Sequence, residues 1–226
     1  MMQSLVAAHN EVACHNRQAP AAHAKEGGVV SLIEPWRYYR ATRMRTWRRV
    51  SSCAQNRVEE AVPEYEATVA SNRNWLLAVA TLGWCKFQTG LIEDAIPLHE
   101  QAIRLSPRDN LLGVWYLRIG IVHLLQSRTD EAVPWLEKAR NFDRQHPQPH
   151  PWLAAAYALK GDTERAAVEL AEARMLNGDD RYSSIARLKA VGYFGVPKIR
   201  ALYEATYFAG GVIAREVRRS RTVARL

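Results

Sequence analysis

The 226-residue sequence contains only three cysteines, Cys14, Cys53 and Cys85, and they are widely separated. An odd and scattered set argues against a disulfide framework and favours reduced thiols. No run of about 18 apolar residues is present, so the sequence predicts no membrane-spanning helix. The first residues lack a basic leader followed by a long apolar stretch, so we predict no secretory signal. We therefore expect a cytoplasmic protein, with a periplasmic parent protein as the alternative.

Motifs for catalysis and for metal binding are also missing. The sequence has no Gly-x-Ser-x-Gly, no phosphate-binding glycine loop and no His-Glu-x-x-His. Cys14 and His15, with His9 and His23 nearby, match no standard zinc spacing, and no Cys-x2-Cys pair supports them. We predict that the protein is not an enzyme and that it uses no cofactor and no metal.

The net charge of +8 is confined to the two ends of the chain. Residues 1–57 carry a net charge of +6 and residues 210–226 carry +4, whereas residues 58–209 carry −2. The middle of the chain is therefore close to neutral. The high isoelectric point does not indicate a nucleic-acid-binding face on that part.

Four alanines, Ala61, Ala95, Ala132 and Ala166, recur at spacings of 34, 37 and 34 residues within similar stretches of sequence. A period of about 34 residues, in which each alanine is followed by a large residue in an Ala-x3-large pattern, is typical of a tetratricopeptide array of helix pairs. Leu82-Gly83 and Ile119-Gly120 supply the Leu-Gly of the repeat, where a glycine allows two helices to approach closely. Prolines follow three of the alanines by two residues, so we expect the second helices to begin just before the alanines.

The pattern predicts an all-α fold: a TPR-type α-solenoid, that is, a right-handed superhelix of antiparallel helix pairs, with a C-terminal helical cap. We expect a flexible or poorly ordered arm over residues 1–43 and about 3.5 repeats over residues 44–176. Two helices over residues 177–209 should cover the open end of the stack, with Ile199, Leu202, Tyr203 and Phe208 on one stripe. A basic, disordered tail should follow over residues 210–226.

The repeats resemble tetratricopeptide repeats over roughly residues 44–176. The stretches around Leu82–Phe87, Ala156–Gly161 and Arg181–Gly210 also resemble the C-terminal repeat region of bacterial adenylate/guanylate cyclase proteins. In that family a cyclase domain precedes the repeats. Residues 1–53 hold three acidic residues and no strand pattern, so the resemblance implies a repeat region without the cyclase domain and transfers no catalytic residue.

The inner face of the stack is the first candidate site, because the first helix of each pair should line it. The resulting groove is apolar and would suit an amphipathic helix or an extended apolar segment of a protein or peptide partner. If this groove is open, Ile121→Asp and Leu124→Asp should abolish partner capture and leave helicity intact. The alternative is that packing of neighbouring helices or of the end-covering pair, or self-association, already fills the groove, and a loss of helicity in these variants would assign the two residues to the core. The predicted groove residues are Trp84, Phe87, Leu117, Ile121, Leu124, Leu125 and Leu159.

We therefore predict a non-catalytic protein–protein interaction module, regulatory or sensory, related to cyclic-nucleotide signalling proteins. Two alternatives stay open. One is binding of nucleic acid or anionic membrane through the basic ends, where arginines alternate with aromatic rings between Trp36 and Arg49. We favour a solvated terminal helix for that stretch and expect no nucleic-acid partner. The other alternative is a truncated cyclase fragment without an independent function.

Overall fold

The structure, a computed structural model, describes residues 58–177, 182, 184–191 and 194–211. The predicted arm over residues 1–43 and the tail beyond residue 211 lie outside these ranges. The described part is built of helices and contains no β-strand within these ranges. The α-helices are α1 (Val58–Ser71), α2 (Leu76–Gln88), α3 (Ala95–Leu105), α4 (Leu112–Leu125), α5 (Thr129–Phe142), α6 (Pro149–Leu159), α7 (Thr163–Asn177), α8 (Ile185–Val191) and α9 (Pro197–Tyr203). A 3-10 turn at Ile92–Asp94 precedes α3, and a π-helical turn at Glu204–Phe208 continues α9.

Consecutive helices from α1 to α7 contact one another in chain order. Among the described residues, α1 is followed by three complete pairs: α2 with α3, α4 with α5, and α6 with α7. The four alanines that define the repeat, Ala61, Ala95, Ala132 and Ala166, are all completely buried. Each lies on the second helix of its unit, where a larger side chain would push the neighbouring helix away. The predicted all-α solenoid of helix pairs is confirmed.

Glycines bring the two helices of a pair close together, as the sequence predicts. A Cβ atom added at Gly83 of α2 would lie 3.0 Å from the Leu98 Cβ and 3.2 Å from the Ala95 carbonyl oxygen of α3. A Cβ added at Gly120 of α4 would lie 2.7 Å from two side-chain carbons of Leu136 in α5. A glycine in mid-helix costs about 1 kcal/mol relative to alanine, and here that cost is offset by close helix packing.

The turn inside each pair places one residue in the left-handed region. Gly90 has a φ of +94° and Gly161 has a φ of +80°. Ser127, the equivalent residue of the middle pair, has a φ of +60°. The turn therefore demands the same backbone shape three times, and in the middle pair a side chain is tolerated there at some cost in strain.

Two of the second helices begin earlier than the prolines predict. Helix α1 begins at Val58 and helix α5 begins at Thr129, so Pro63 and Pro134 lie inside these helices and not in their first turns. Helix α6 begins at Pro149, because prolines are accommodated in a first turn that lacks internal N–H partners.

Candidate interaction surface on the inner face

The inner face of the solenoid is formed by α2, α4 and α6, the first helices of the three pairs. Helix α4 contacts both α2 and α6. Its sequence is apolar nearly all round, and Trp115, Leu117, Ile119 and Ile121 are buried on different sides of it. A helix that is apolar on every side needs cover on every side. The second helices cover only the outer side, so another element must cover the inner one.

That element is the C-terminal segment, residues 194–211, which contains α9, the π-helical turn and its continuation. Its π-helical turn contacts both α4 and α6. At its start the Val196 N–H donates to the Gln88 carbonyl oxygen at 3.1 Å, and Lys198 Nζ lies 3.5 Å from the Gly90 carbonyl oxygen. The segment therefore starts at the C-terminal end of α2 and crosses the inner face toward α6.

The other end of the C-terminal segment lies directly on the backbone of α6. A Cβ added at Gly210 would be 2.5 Å from the Ala155 carbonyl oxygen and 2.9 Å from the Ala155 Cα. Only a residue without a side chain fits at this distance. The neighbouring Gly211 is much less constrained, since its added Cβ would meet only the end of the Ile185 side chain at 3.1 Å.

The π-helical turn sets the direction of the aromatic side chains. Hydrogen bonds in a π-helix join residues i and i+5, so residue i+5 returns above residue i. Tyr203 and Phe208 are five residues apart, and their ring centroids lie 6.1 Å apart. Tyr207 lies 6.2 Å from Tyr203 and 5.4 Å from Phe208. The turn thus directs three aromatic rings toward one side, and all three are buried.

Trp152 of α6 packs against these three aromatic rings. Its ring centroid lies 4.0 Å from that of Tyr207 in a stacked arrangement and 5.6 Å from that of Tyr203, edge to face. Phe194 closes the cluster at 5.0 Å from Tyr203 and 5.2 Å from Phe208. Such arrangements suit the quadrupoles of the rings and contribute about 0.5–1.5 kcal/mol per pair beyond area burial.

All seven predicted groove residues gather around this one surface. Phe87, Leu124 and Leu125 are fully buried, and Leu117 and Ile121 are each 4% exposed. They share a core cluster with Ile199, Tyr203, Tyr207 and Phe208 of the C-terminal segment. Trp84 and Leu159 are partly buried and pack against the same cluster. The structure therefore brings the predicted residues together, but beneath a segment of the same chain.

The sequence predicted that the apolar stripe of the last helix covers the open end of the stack, and it left open that this end-covering pair itself fills the groove. For the C-terminal segment the structure agrees with the second possibility, because Ile199, Tyr203, Tyr207 and Phe208 share one core cluster with the groove residues. In the structure Ile185 and Leu188 of α8 line a small cavity together with Pro151 and Ala154 of α6, Leu170 of α7 and Tyr207. The C-terminal segment turns back across the inner face. The signal was the excess of apolar surface on α4, which the second helices alone cannot cover.

A cation joins α2 to α4 at the edge of this surface. The Arg118 guanidinium carbon lies 5.0 Å from the Trp84 ring centroid and 5.2 Å from that of Trp115. Arg118 Nη1 also donates to the Ala80 carbonyl oxygen at 3.3 Å. The charge is thus held between two aromatic faces of neighbouring inner helices.

A buried carboxylate joins the last two pairs on the side of the second helices. Glu169 of α7 contacts Arg140 of α5, and its Oε2 lies 2.7 Å from the His150 Nδ1 of α6. Glu169 and His150 are each only 5% exposed.

A second polar contact joins the same two pairs, since the hydroxyl of Tyr157 donates to Glu137. Burial, and to a smaller extent this hydrogen bond, raise the pKa of Tyr157 to about 12. These groups fix the pairs relative to one another.

Within the described ranges, no group of three or more His, Cys, Asp and Glu side chains is placed to hold a metal ion. In the same part of the chain, no helix is long and apolar enough to cross a bilayer.

His99 is completely buried beside Trp115. Its burial, and to a smaller extent the charge of Arg118, lower the pKa of His99 well below the usual value. It is a packing residue of α3.

No protein-family model matches the chain. Solved structures that resemble it include MamA, with a TM-score of 0.51 and 16% identity over 75% of this chain and 95% of that one. YrrB, described as a TPR protein with an unusual peptide-binding site, gives a TM-score of 0.50 and 14% identity over 76% and 88% of the two chains. The Cut9–Hcn1 hetero-tetramer of APC/C gives 0.57 and 16% over 64% of this chain and 29% of that chain. At these identities the likeness shows the fold alone: a TPR-type α-solenoid.

Proposed function

We propose that this TPR-type solenoid is a non-catalytic protein–protein interaction module whose inner face binds a helical segment of its partner. One observation carries the proposal: an apolar and aromatic inner face that is covered by a helix, the C-terminal segment. A surface that packs well against one amphipathic helix has the width and chemistry to pack against another. The surface is preformed by rigid helix pairs, so binding needs little rearrangement of the solenoid itself.

The seven predicted groove residues remain part of this proposal as the contacts of the partner. Trp84 and Leu159 are the ones that a partner meets first, because they are partly exposed at the margin of the covered surface. The five buried residues, Phe87, Leu117, Ile121, Leu124 and Leu125, become accessible only where the C-terminal segment moves aside.

The cellular context that we propose is a regulatory or sensory protein related to cyclic-nucleotide signalling. Its support is the resemblance of the Leu82–Phe87, Ala156–Gly161 and Arg181–Gly210 stretches to the repeat region of cyclase proteins. We also propose a reducing, cytoplasmic compartment, supported by the odd number and the scattered positions of the three cysteines in the sequence. Both points concern context and leave the interaction function unchanged.

A site-directed photo-crosslinking experiment tests the interaction function. A crosslinking side chain replaces Leu159 in the full chain, and a matched variant carries it at Lys138, an exposed position on α5 of the outer layer. Partner proteins in the source cell extract should crosslink at position 159 and not at position 138, with little dependence on salt. Equal crosslinking at both positions, or capture that falls steeply with salt, would overturn the proposal and favour the basic ends.

A further inference from the structure

The C-terminal segment occupies the inner face as a bound helix would, and its sequence indicates which side chains a ligand of this face needs. Ile199, Tyr203 and Tyr207 follow one another at intervals of four residues, and each is at most 5% exposed. The opposite side of the same segment is exposed at Lys198, Arg200 and Glu204. The inner face therefore accepts an amphipathic helix by an aliphatic–aromatic stripe of a little over two turns.

We propose that the partner of the inner face is an amphipathic helix of this same chemistry, which binds by exchanging with residues 194–211. This inference rests on the proposed interaction function and names the class of segment that the face selects. Such a helix carries an aliphatic residue and two aromatic residues at intervals of four, with a glycine about three residues after the second aromatic residue.

The glycine requirement comes from the contact between Gly210 and Ala155. The added Cβ at Gly210 would lie within 3.0 Å of three backbone atoms of Ala155, which cannot move without displacing α6. Gly210 follows Tyr207 by three residues. A partner with a larger residue at that point would be held away from α6 and would lose the stacking of its aromatic ring on Trp152.

Charge selects the direction of the partner helix. The start of the C-terminal segment lies at the C-terminal end of α2, where the Gln88 and Gly90 carbonyl groups point outward and accept from Val196 and Lys198. The free carbonyl groups at the end of a helix favour a cation. A partner that replaces the segment therefore carries a lysine or arginine in its first turn, and a reversed helix would lose this contact.

A matched pair of glycine variants tests the exchange. Gly210→Ala places a methyl group against the Ala155 backbone and so weakens the packing of residues 194–211 on α6. Every residue of the inner face itself stays unchanged. Gly211→Ala adds the same methyl group one residue later, where it meets only the flexible end of Ile185. The probe is a fluorescent synthetic peptide with the sequence of residues 194–211, measured by anisotropy on the full-length proteins.

The Gly210→Ala protein should bind the peptide about tenfold or more tightly than the wild type, because its inner face is vacated for a larger fraction of the time. The Gly211→Ala protein should behave as the wild type. A peptide with alanine at both Tyr203 and Tyr207 should lose most of the affinity. Equal binding by all three proteins, or no binding by a folded Gly210→Ala protein, would overturn the exchange.

A second variant covers the case in which Gly210→Ala does not fold. The full chain with Ile199→Val removes one buried methylene group from the resident segment, so it weakens this segment mildly and should also bind the unaltered peptide more tightly than the wild type. Absence of peptide binding together with an intact crosslink at position 159 would reject the exchange and keep the interaction function. Absence of that crosslink would reject the function itself.

Discussion

The ring of Tyr207 stacks on that of Trp152, with centroids 4.0 Å apart and planes inclined by 28°. This contact joins the C-terminal segment to the inner helix α6. Truncation of Tyr207 to alanine removes the stacking and leaves a cavity, so we expect the free energy of unfolding to fall by about 3–5 kcal/mol. A double-mutant cycle with Trp152→Ala in urea denaturation should give a coupling energy of about 0.5–1.5 kcal/mol.

The exposed Arg200 of the same segment provides the control for this cycle. Arg200→Ala should leave the unfolding midpoint almost unchanged. A Tyr207→Ala protein as stable as the wild type would mean that the C-terminal segment does not lie on the inner face.

The two glycines of α4 should respond to alanine in opposite ways. An added Cβ at Gly120 meets Leu136 at 2.7 Å within the core, so Gly120→Ala should destabilise by about 1–3 kcal/mol through overpacking. An added Cβ at Gly113 meets the Phe142 ring at 2.9 Å, but Phe142 is 46% exposed and free to turn away. Gly113→Ala should therefore gain up to about 1 kcal/mol of helix propensity. Thermal unfolding of both variants checks the contrast, and an equal shift in both would contradict it.

The turn of the middle pair offers a stabilising substitution. Ser127 has a φ of +60°, whereas the equivalent Gly90 and Gly161 hold positive φ without a side chain. Ser127→Gly should raise the free energy of unfolding by about 1 kcal/mol, because the left-handed conformation strains a residue with a Cβ. The reciprocal Gly161→Ser variant should lose stability, although its added Cβ has nothing within 4 Å. A stability change of the same sign in both variants would count against the strain argument.

Buried His99 predicts a stability that falls in mild acid. Burial, and then the charge of Arg118, lower the pKa of His99 in the folded state, whereas in the unfolded chain histidine titrates near its ordinary value of about 6.5. Below that pH, His99 binds a proton in the unfolded chain but stays neutral in the folded chain. The free energy of unfolding should therefore fall by up to about 1.4 kcal/mol per pH unit.

The pKa values of His123 and His146 are also lowered, mainly by burial, and add a dependence of the same sign. The His99→Leu variant retains these two groups and should show a smaller slope than the wild type. Urea denaturation at several pH values between 5 and 7.5 measures both slopes. Parallel slopes would show that His99 does not contribute.

Aspartate substitutions on the inner face have a different expected result from the one that the sequence suggested. Leu124 is fully buried and Ile121 is 4% exposed, so Ile121→Asp and Leu124→Asp each bury a carboxylate in the core. We expect losses above about 4 kcal/mol and a fall in helicity by circular dichroism. Leu159→Asp, at the margin of the same surface, should retain the helical signal. Retained helicity in the Leu124→Asp protein would restore the original expectation of an open groove.

The repeat architecture could be predicted from the sequence because its causes are local and recur. Ala95, Ala132 and Ala166 lie on the second helices and are small because a neighbouring helix packs closely against them, and Gly83 and Gly120 mark the closest approach within a pair. Each of these requirements leaves the same residue type at the same position of successive repeats. The spacing of these residues therefore predicted the pairs, their order and most of their boundaries.

The position of the C-terminal segment could not be predicted in the same way. The stripe that contains Ile199 and Tyr203 shows that one side of the helix is buried, but a single amphipathic helix fits any apolar surface of suitable width. The choice between the open end and the inner face depends on contacts between residues far apart in sequence, such as Tyr207 with Trp152. The π-helical turn is equally hidden, since the residues of Glu204–Phe208 would also suit an ordinary helix.

Residues 194–211 are among the last of the described residues to leave the ribosome, although they complete the core of helices made long before them. During synthesis, Phe87, Leu117 and Leu124 must remain without their final cover until this stretch has emerged. The nascent chain therefore exposes an uncovered apolar inner face until residues 194–211 have been synthesised. Chaperones should bind nascent chains that are stalled before residue 194, and this binding should cease once the C-terminal segment has folded onto the inner face.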